Sequence, residues 1–194
     1  MSSHHVIRDE QEPPIIILTA NFNMDLVNDL LGWSPLLIVV EEVYPFFEAI
    51  GIKVDIVIGL VEEDSVKYPE AQFIKITSLE ELTYSTVLQV LQGKSFTGVN
   101  IFCSDKIKNN LIRHISKKPD LVLPLLLFVA DVKTIVSSKT KHNKWYPSGQ
   151  RLLYDDKNIS VLPPITKKDG FYFVDVDAKY KFLIQDSLLI MTEY

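Results

Sequence analysis

The sequence predicts an α/β protein: a parallel-sheet region followed by a smaller antiparallel β region. Three observations predict it. Runs of branched apolar residues alternate with helical stripes up to about Ser137, the pattern of βαβ units and a parallel sheet. Beyond Ser137 the stripes stop, and short alternating segments recur between turns, as in antiparallel sheets and half-sandwiches. Hydrophobic residues make up 47% of the 194 and charged residues 23%, a composition able to fold around a core.

Ile15 to Leu18 follows Pro13-Pro14 and reads as a strand buried on both faces. Asn21 or Asn23 can cap a helix carrying Met24, Val27, Leu30 and Leu31, stopped by Gly32. Leu36 to Val40 is a second strand. Val43, Phe46, Phe47 and Ile50 form a helical stripe that Gly51 ends, and Asp55 to Ile58 is a third strand ending at Gly59. Phe73 to Ile76 is a fourth. Thr77 or Ser78 with Glu80 and Glu81 resembles a capping box that opens a helix from Leu79 to Gln92. Gly98 to Phe102 is a fifth strand, and Ser104 or Asp105 caps a helix running to His114. Leu121 to Val129 and Lys133 to Val136 read as two more strands, so residues 15–137 form a Rossmann-like α/β domain.

Lys139 to Lys144 reads as a polar loop. Arg151 to Tyr154, Ile159 to Leu162, Phe171 to Val176, Ala178 to Leu183 and Leu188 to Met191 then alternate as strands of a sandwich-like β domain over 138–194. Asp155 to Asn158 and Lys167 to Gly170 supply turns between them. Residues 1–14 form a polar, flexible tail without the apolar stretch of a signal peptide.

Charge narrows the partners. Twenty Lys and Arg against 25 Asp and Glu leave a net charge of −5, which lacks the basic footprint of a nucleic-acid binder. The most apolar window, Leu121 to Ala130, is too short to span a bilayer and contains Pro124. A single cysteine, Cys103, excludes an intramolecular disulfide and fits a reducing compartment. The expected location is the cytoplasm, with no membrane and no nucleic acid.

In an open parallel sheet, ligands bind beyond the carboxyl ends of the strands. Glu41 and Glu42 follow the second strand. Glu62, Glu63, Asp64 and Ser65 follow the third, where oxygen ligands could hold a hard cation and its phosphates; a solvated acidic loop is the simpler reading. No Gly-rich phosphate loop is present. The four histidines have no metal-ligand spacing, and Cys103, directly after a buried strand, reads as a core residue. Trp145 and Tyr180 could stack on a planar ligand or fill a sandwich core.

The order of these motifs resembles that of the thiamine pyrophosphokinases. That family has a strand ending in Asp-Gly-Gly, a helix, Gly-Ile-x-Pro-Asp, a strand, and Gly-Asp-x-Asp-Ser. Here Ile38-Val39-Val40 leads into Glu41-Glu42-Val43, Gly51 to Asp55 matches the second element with Val54 for Pro, and Ile56 to Gly59 matches the strand. Glu81-Leu82-Thr83-Tyr84 sits where the family has Asp-x-Thr-Asp. Ile159 to Pro163 is similar to its Ile-Ser-Leu-Ile-Pro strand, and Ala178-Lys179-Tyr180 to its Gly-Leu-Lys-Tyr element.

The resemblance implies pyrophosphoryl transfer from ATP to thiamine, with Mg²⁺, in a homodimer that binds thiamine near the subunit interface. It assigns catalysis to Asp55, Glu62 and Asp64, with Glu62 and Asp64 on the metal. Nucleotide contacts fall to Glu41, Glu42, Gly59, Ser65 and Thr83, and thiamine contacts to Trp145, Ser160 and Tyr180. Two substitutions cut across this. Leu60 stands where the family has the first Asp after glycine, and Tyr84 where it has the Asp after threonine. Losing two carboxylates leaves a triphosphate less well neutralised. The implied protein is therefore either a kinase with weakened or lost activity, or a silent relative serving as a small-molecule-binding or protein-interaction module.

Overall fold

Fourteen strands and four α-helices make up the described parts of the computed structural model, which are residues 12–60, 68, 70–76, 78, 84–91, 96–117, 123–185 and 188–194. The chain begins as the apolar runs dictate. Strand β1 (Ile15–Ile17) is followed by helix α1 (Met24–Leu31), whose first turn is capped by the Asn23 side chain accepting from the Leu26 N–H. Strand β2 (Leu37–Val40), helix α2 (Tyr44–Ala49), strands β3 (Ile56–Gly59) and β4 (Gln72–Lys75), and helix α3 (Tyr84–Val90) come next. Strand β5 (Val99–Phe102) leads into helix α4 (Asp105–Lys117). Every residue of β1, β2, β3 and β5 is buried, which is why they read as unbroken apolar runs rather than as alternation.

Strands β6 (Leu125–Val129) and β7 (Val132–Ser137) form an antiparallel hairpin, with Ala130 in the left-handed region at its turn. The remaining strands are β8 (Lys141–Tyr146), β9 (Arg151–Tyr154), β10 (Ile159–Leu162), β11 (Thr166–Lys168), β12 (Phe171–Phe173), β13 (Ala178–Ile184) and β14 (Leu189–Glu193).

Eleven strands share one sheet in the order β11-β12-β9-β14-β7-β6-β5-β1-β2-β3-β4. The block from β6 to β4 is parallel throughout. The β6–β7 hairpin reverses the direction, and from there to β11 the sheet is antiparallel. The other three strands form a second antiparallel sheet, β10-β13-β8, with β13 in the centre. It packs on the antiparallel end of the large sheet through a core of its own, built on Tyr146, Leu152, Tyr154, Tyr180, Phe182 and Met191.

Two local expectations are corrected. Of residues 139–144 only Lys139 and Thr140 are loop: Lys141–Tyr146 is β8, with alternating exposure. Its inward positions are His142, Lys144 and Tyr146, polar residues that an apolar pattern cannot flag. The segment from Lys167 is not all turn either. Thr166–Lys168 is a strand, and the turn is Asp169-Gly170, both at positive φ, closing a two-residue hairpin onto Phe171. Nor do sequential strands always pair. A 3₁₀ turn at Asp156–Asn158, capped by Asp155, carries the chain from β9 in the large sheet to β10 in the small one. Among the described residues no helix is long and apolar enough to cross a membrane.

Candidate functional site

The carboxyl ends of β2 and β3 bring together Glu41 and Gly59. The Glu41 N–H donates to the Ile58 carbonyl at 2.9 Å, which sets its side chain beside Gly59. Its Oε2 atom is buried and has no hydrogen-bond partner among the described residues. A Cβ on Gly59 would lie 2.3 Å from that oxygen and 2.6 Å from the Phe73 ring, so only glycine leaves room for both side chains. Phe73 stacks on Tyr68 with centroids 5.6 Å apart, and Tyr44 meets Tyr68 edge-on at 4.9 Å. Aromatic rings therefore fill the ground beside β3 and β4. Glu42 is exposed on the turn beyond β2.

Leu60, the next residue along, is 45% exposed. Tyr84 opens α3, and its hydroxyl donates to the Leu123 carbonyl at 3.2 Å and accepts from the Leu123 N–H at 2.7 Å. Its polar end is thus committed to the backbone. Glu62, Asp64, Ser65 and Thr83 lie outside the described residues.

Asp55 does not join this group. It precedes β3 at the amino edge of the sheet, whereas Gly59 ends the strand; at about 3.3 Å per residue the two stand roughly 13 Å apart. Its Oδ2 accepts from the Leu37 N–H at 2.9 Å and its Oδ1 faces Lys53 Nζ at 3.4 Å. Asp55 therefore fastens the start of β2, and the structure does not bring it to Glu41 and Gly59 at the carboxyl end of the strands. A groove of about 530 Å³ opens at this amino edge, lined by Leu36, Leu37, Lys53 and Asp55 among others.

The three residues assigned to thiamine are also divided. Trp145 and Ser160 are exposed on the outer face of the small sheet. Tyr180 points the other way: it is fully buried in the sandwich, and its hydroxyl donates to the Val176 carbonyl at 3.1 Å. The structure therefore does not bring Tyr180 to the face that carries Trp145 and Ser160, because adjacent strand positions face opposite sides.

Sequence reasoning missed a polar cluster between the sheets. Glu193, near the end of β14, accepts from Lys144 Nζ at 2.6 Å and from the Tyr146 hydroxyl at 2.5 Å, with Lys133 Nζ at 3.6 Å. Burial pushes its carboxyl up, but those hydrogen bonds and the two ammonium charges together hold it below the ordinary range. His142 Nε2 is buried beside this group without a partner among the described residues, and burial lowers its pKa. Lys133 is lowered by burial too. The regular two-residue spacing of His142, Lys144 and Tyr146 was the available signal.

A sheet whose order runs outward in both directions from β1 has its switch point there, with β2 on one side and β5 on the other. Asn23 Nδ2 donates to Asp131 Oδ1 at 2.7 Å across the carboxyl end of this region. Ser104 caps α4 just beyond β5, its Oγ accepting from the Ile107 N–H at 3.4 Å. Among the described residues no three His, Cys, Asp or Glu groups gather as a metal site. Glu41 and Glu42 alone are not an oxygen cage for a Mg²⁺–triphosphate, so the described residues do not fit that group.

Fold and sheet order define a class: α/β proteins whose parallel sheet continues into an antiparallel sandwich. Solved structures of that class supply the comparison. A thiamine pyrophosphokinase from Bacillus subtilis superimposes with a TM-score of 0.63 at 13% identity, covering 92% of this chain and 98% of its own. A thiamin pyrophosphokinase from Geobacillus thermodenitrificans gives 0.58 at 14%, covering 92% and 96%. One from Candida albicans gives 0.57 at 11%, covering 95% and 89%. This chain has the thiamine pyrophosphokinase fold. No sequence-family model matches it, and no curated protein sequence does.

Proposed function

We propose that this chain is a thiamine pyrophosphokinase-like protein whose pyrophosphoryl transfer from Mg-ATP to thiamine is weakened or lost. The observation that carries the reading is the Tyr84 hydroxyl, bonded in both directions to Leu123 at a position where the family has a carboxylate. Leu60, beside Gly59, adds a second substitution, an aliphatic one. Transfer of this kind rests on neutralising phosphate charge and positioning it. A phenol engaged with backbone and an isobutyl group supply neither.

The fold, shared with thiamine pyrophosphokinases over nearly the whole chain, favours a second reading: a working kinase whose metal is held by Glu62 and Asp64. One assay separates them. Thiamine and Mg-ATP are incubated with the chain, and thiamine diphosphate and AMP are quantified beside the Bacillus subtilis enzyme. A rate at least about 10³-fold below that enzyme is expected, the scale on which charge-stabilising groups act in such reactions. Comparable rates would overturn the silent reading. Glu62→Gln and Asp64→Asn would then abolish product if those carboxylates hold the metal.

A further inference from the structure

The outer face of the small sheet carries the opposite charge to the molecule as a whole. Strand register arranges it in rows. Trp145 lies beside Lys179, Lys181 lies between Asn143 and Leu162, and Leu183 lies between Lys141 and Ser160. The alternating burial of β8, β10 and β13 sends these side chains outward, away from Tyr180 and Phe182. Among the described residues three lysines and no carboxylate stand on the face, in a chain of net charge −5. None of the three lysines has an ion pair among the described residues. Between them Trp145 is 57% and Leu162 55% exposed. Lysines on edge strands discourage edge-to-edge pairing, but Lys179 and Lys181 sit on the central strand, which has no free edge.

We propose that this face docks a short, extended acidic peptide segment of a partner protein. Its carboxylates would meet Lys141, Lys179 and Lys181, and an apolar side chain would cover Trp145 and Leu162. The inference does not rest on pyrophosphoryl transfer, and it gives to a peptide the face that carries Trp145 and Ser160, to which the resemblance assigned thiamine.

Three arguments select this occupant. Strands about 4.8 Å apart and rows about 6.8 Å apart make a platform of roughly 10 by 14 Å, far below the ~800 Å² per partner of a standard interface. A segment fits it; a globular surface would leave most of its contact elsewhere. A second copy docked by a two-fold axis through the central strand would set Lys181 against Lys181, a like-charge contact that disfavours pairing. A nucleic acid would run beyond the platform toward Asp175 and Asp177, which flank the Trp145 end through their bonds to Ser148, and would meet the repulsion of the acidic remainder. A short peptide ends within the platform, clear of Asp175 and Asp177, and carries fewer charges into the field of the acidic remainder.

The test uses the full chain with Trp33→Phe, so that emission reports Trp145. A short synthetic peptide of glutamates interrupted by leucine is titrated, beside its lysine counterpart and oligodeoxythymidine. The glutamate peptide is expected to shift Trp145 emission saturably. Binding should weaken roughly tenfold with Lys181→Glu, and fall with added salt because the contacts are surface charges. If Lys181→Glu does not fold, as judged by far-UV circular dichroism, the salt titration and Lys179→Gln decide in its place. The proposal is overturned by an unchanged emission, by an equal response to the lysine peptide, or by tighter binding of the oligonucleotide. It is overturned equally by a dimer in sedimentation that Leu162→Glu dissociates, with release of Trp145 to water.

Discussion

At the scale of single residues, space and burial set chemistry more than residue type does. Cys103 is a free thiol directly after β5, 2% exposed, and burial pushes it up to about 12 against a smaller opposing pull from Lys108. It should resist a thiol-specific disulfide reagent in the folded chain at pH 8 and react promptly in denaturant; rapid modification of the native protein would contradict that placement. Gly59 is the second case. An added methyl would press on Glu41 Oε2 at 2.3 Å and on Phe73 at 2.6 Å. Gly59→Ala should therefore cost about 1–3 kcal/mol in urea unfolding, as overpacked sites do, while Gly149→Ala would strain only its backbone at φ +85. Glycine and glutamate at these positions were legible as motif in the sequence. Their mutual packing was not, because it depends on the parallel pairing of β2 with β3.

At the scale of elements, β8 is where the two sheets communicate. His142 ranges against Phe182 across β13, ring centroids 5.9 Å apart, and faces Glu193 of β14, Lys133 of β7, Lys144 of its own strand and Lys139 of the preceding turn. Its pKa in the folded chain is lowered, chiefly by burial. The unfolded chain thus binds a proton more readily, so stability is full above about pH 6.5 and declines as pH falls through that value. Glu193 acts in a lower window: its carboxyl is held below the usual range, so its contribution is lost only as pH drops below about 4.5. Urea midpoints measured between pH 8 and pH 5 should fall for the wild type and flatten at the upper step in His142→Phe; an unchanged slope in that variant would remove His142 as the cause. The helices and inner strands were readable because apolar runs and caps state them directly, as Asn23 and Gly32 do for α1. Strand β8 was not. Its inward residues are polar, and their burial is tolerable only because Glu193, some fifty positions away in sequence, compensates them.

At the scale of the whole molecule, β14 joins the two halves of the large sheet, pairing with β7 on one side and β9 on the other. Ending the chain before Leu189 would strip β9, β12 and β11 of their link to the sheet and expose the edge of β7. The truncated protein should aggregate or lose protection from hydrogen exchange across β9 and β12, where an intact exchange pattern would show that the small sheet suffices to hold them. The sequence by itself determined the α/β class, the succession of buried strands and helices up to β7, and the change to antiparallel pattern beyond Ser137. Those properties follow from local periodicity and propensity, which neighbouring residues encode. Only the tertiary structure decided that Asp55 and Gly59 stand at opposite edges of one sheet, that Tyr180 faces the core while Trp145 faces water, and that Tyr84 spends its hydroxyl on Leu123. Such facts depend on strand direction, register and long-range pairing. One step along a strand reverses a side chain, and the two ends of a single strand serve different sites.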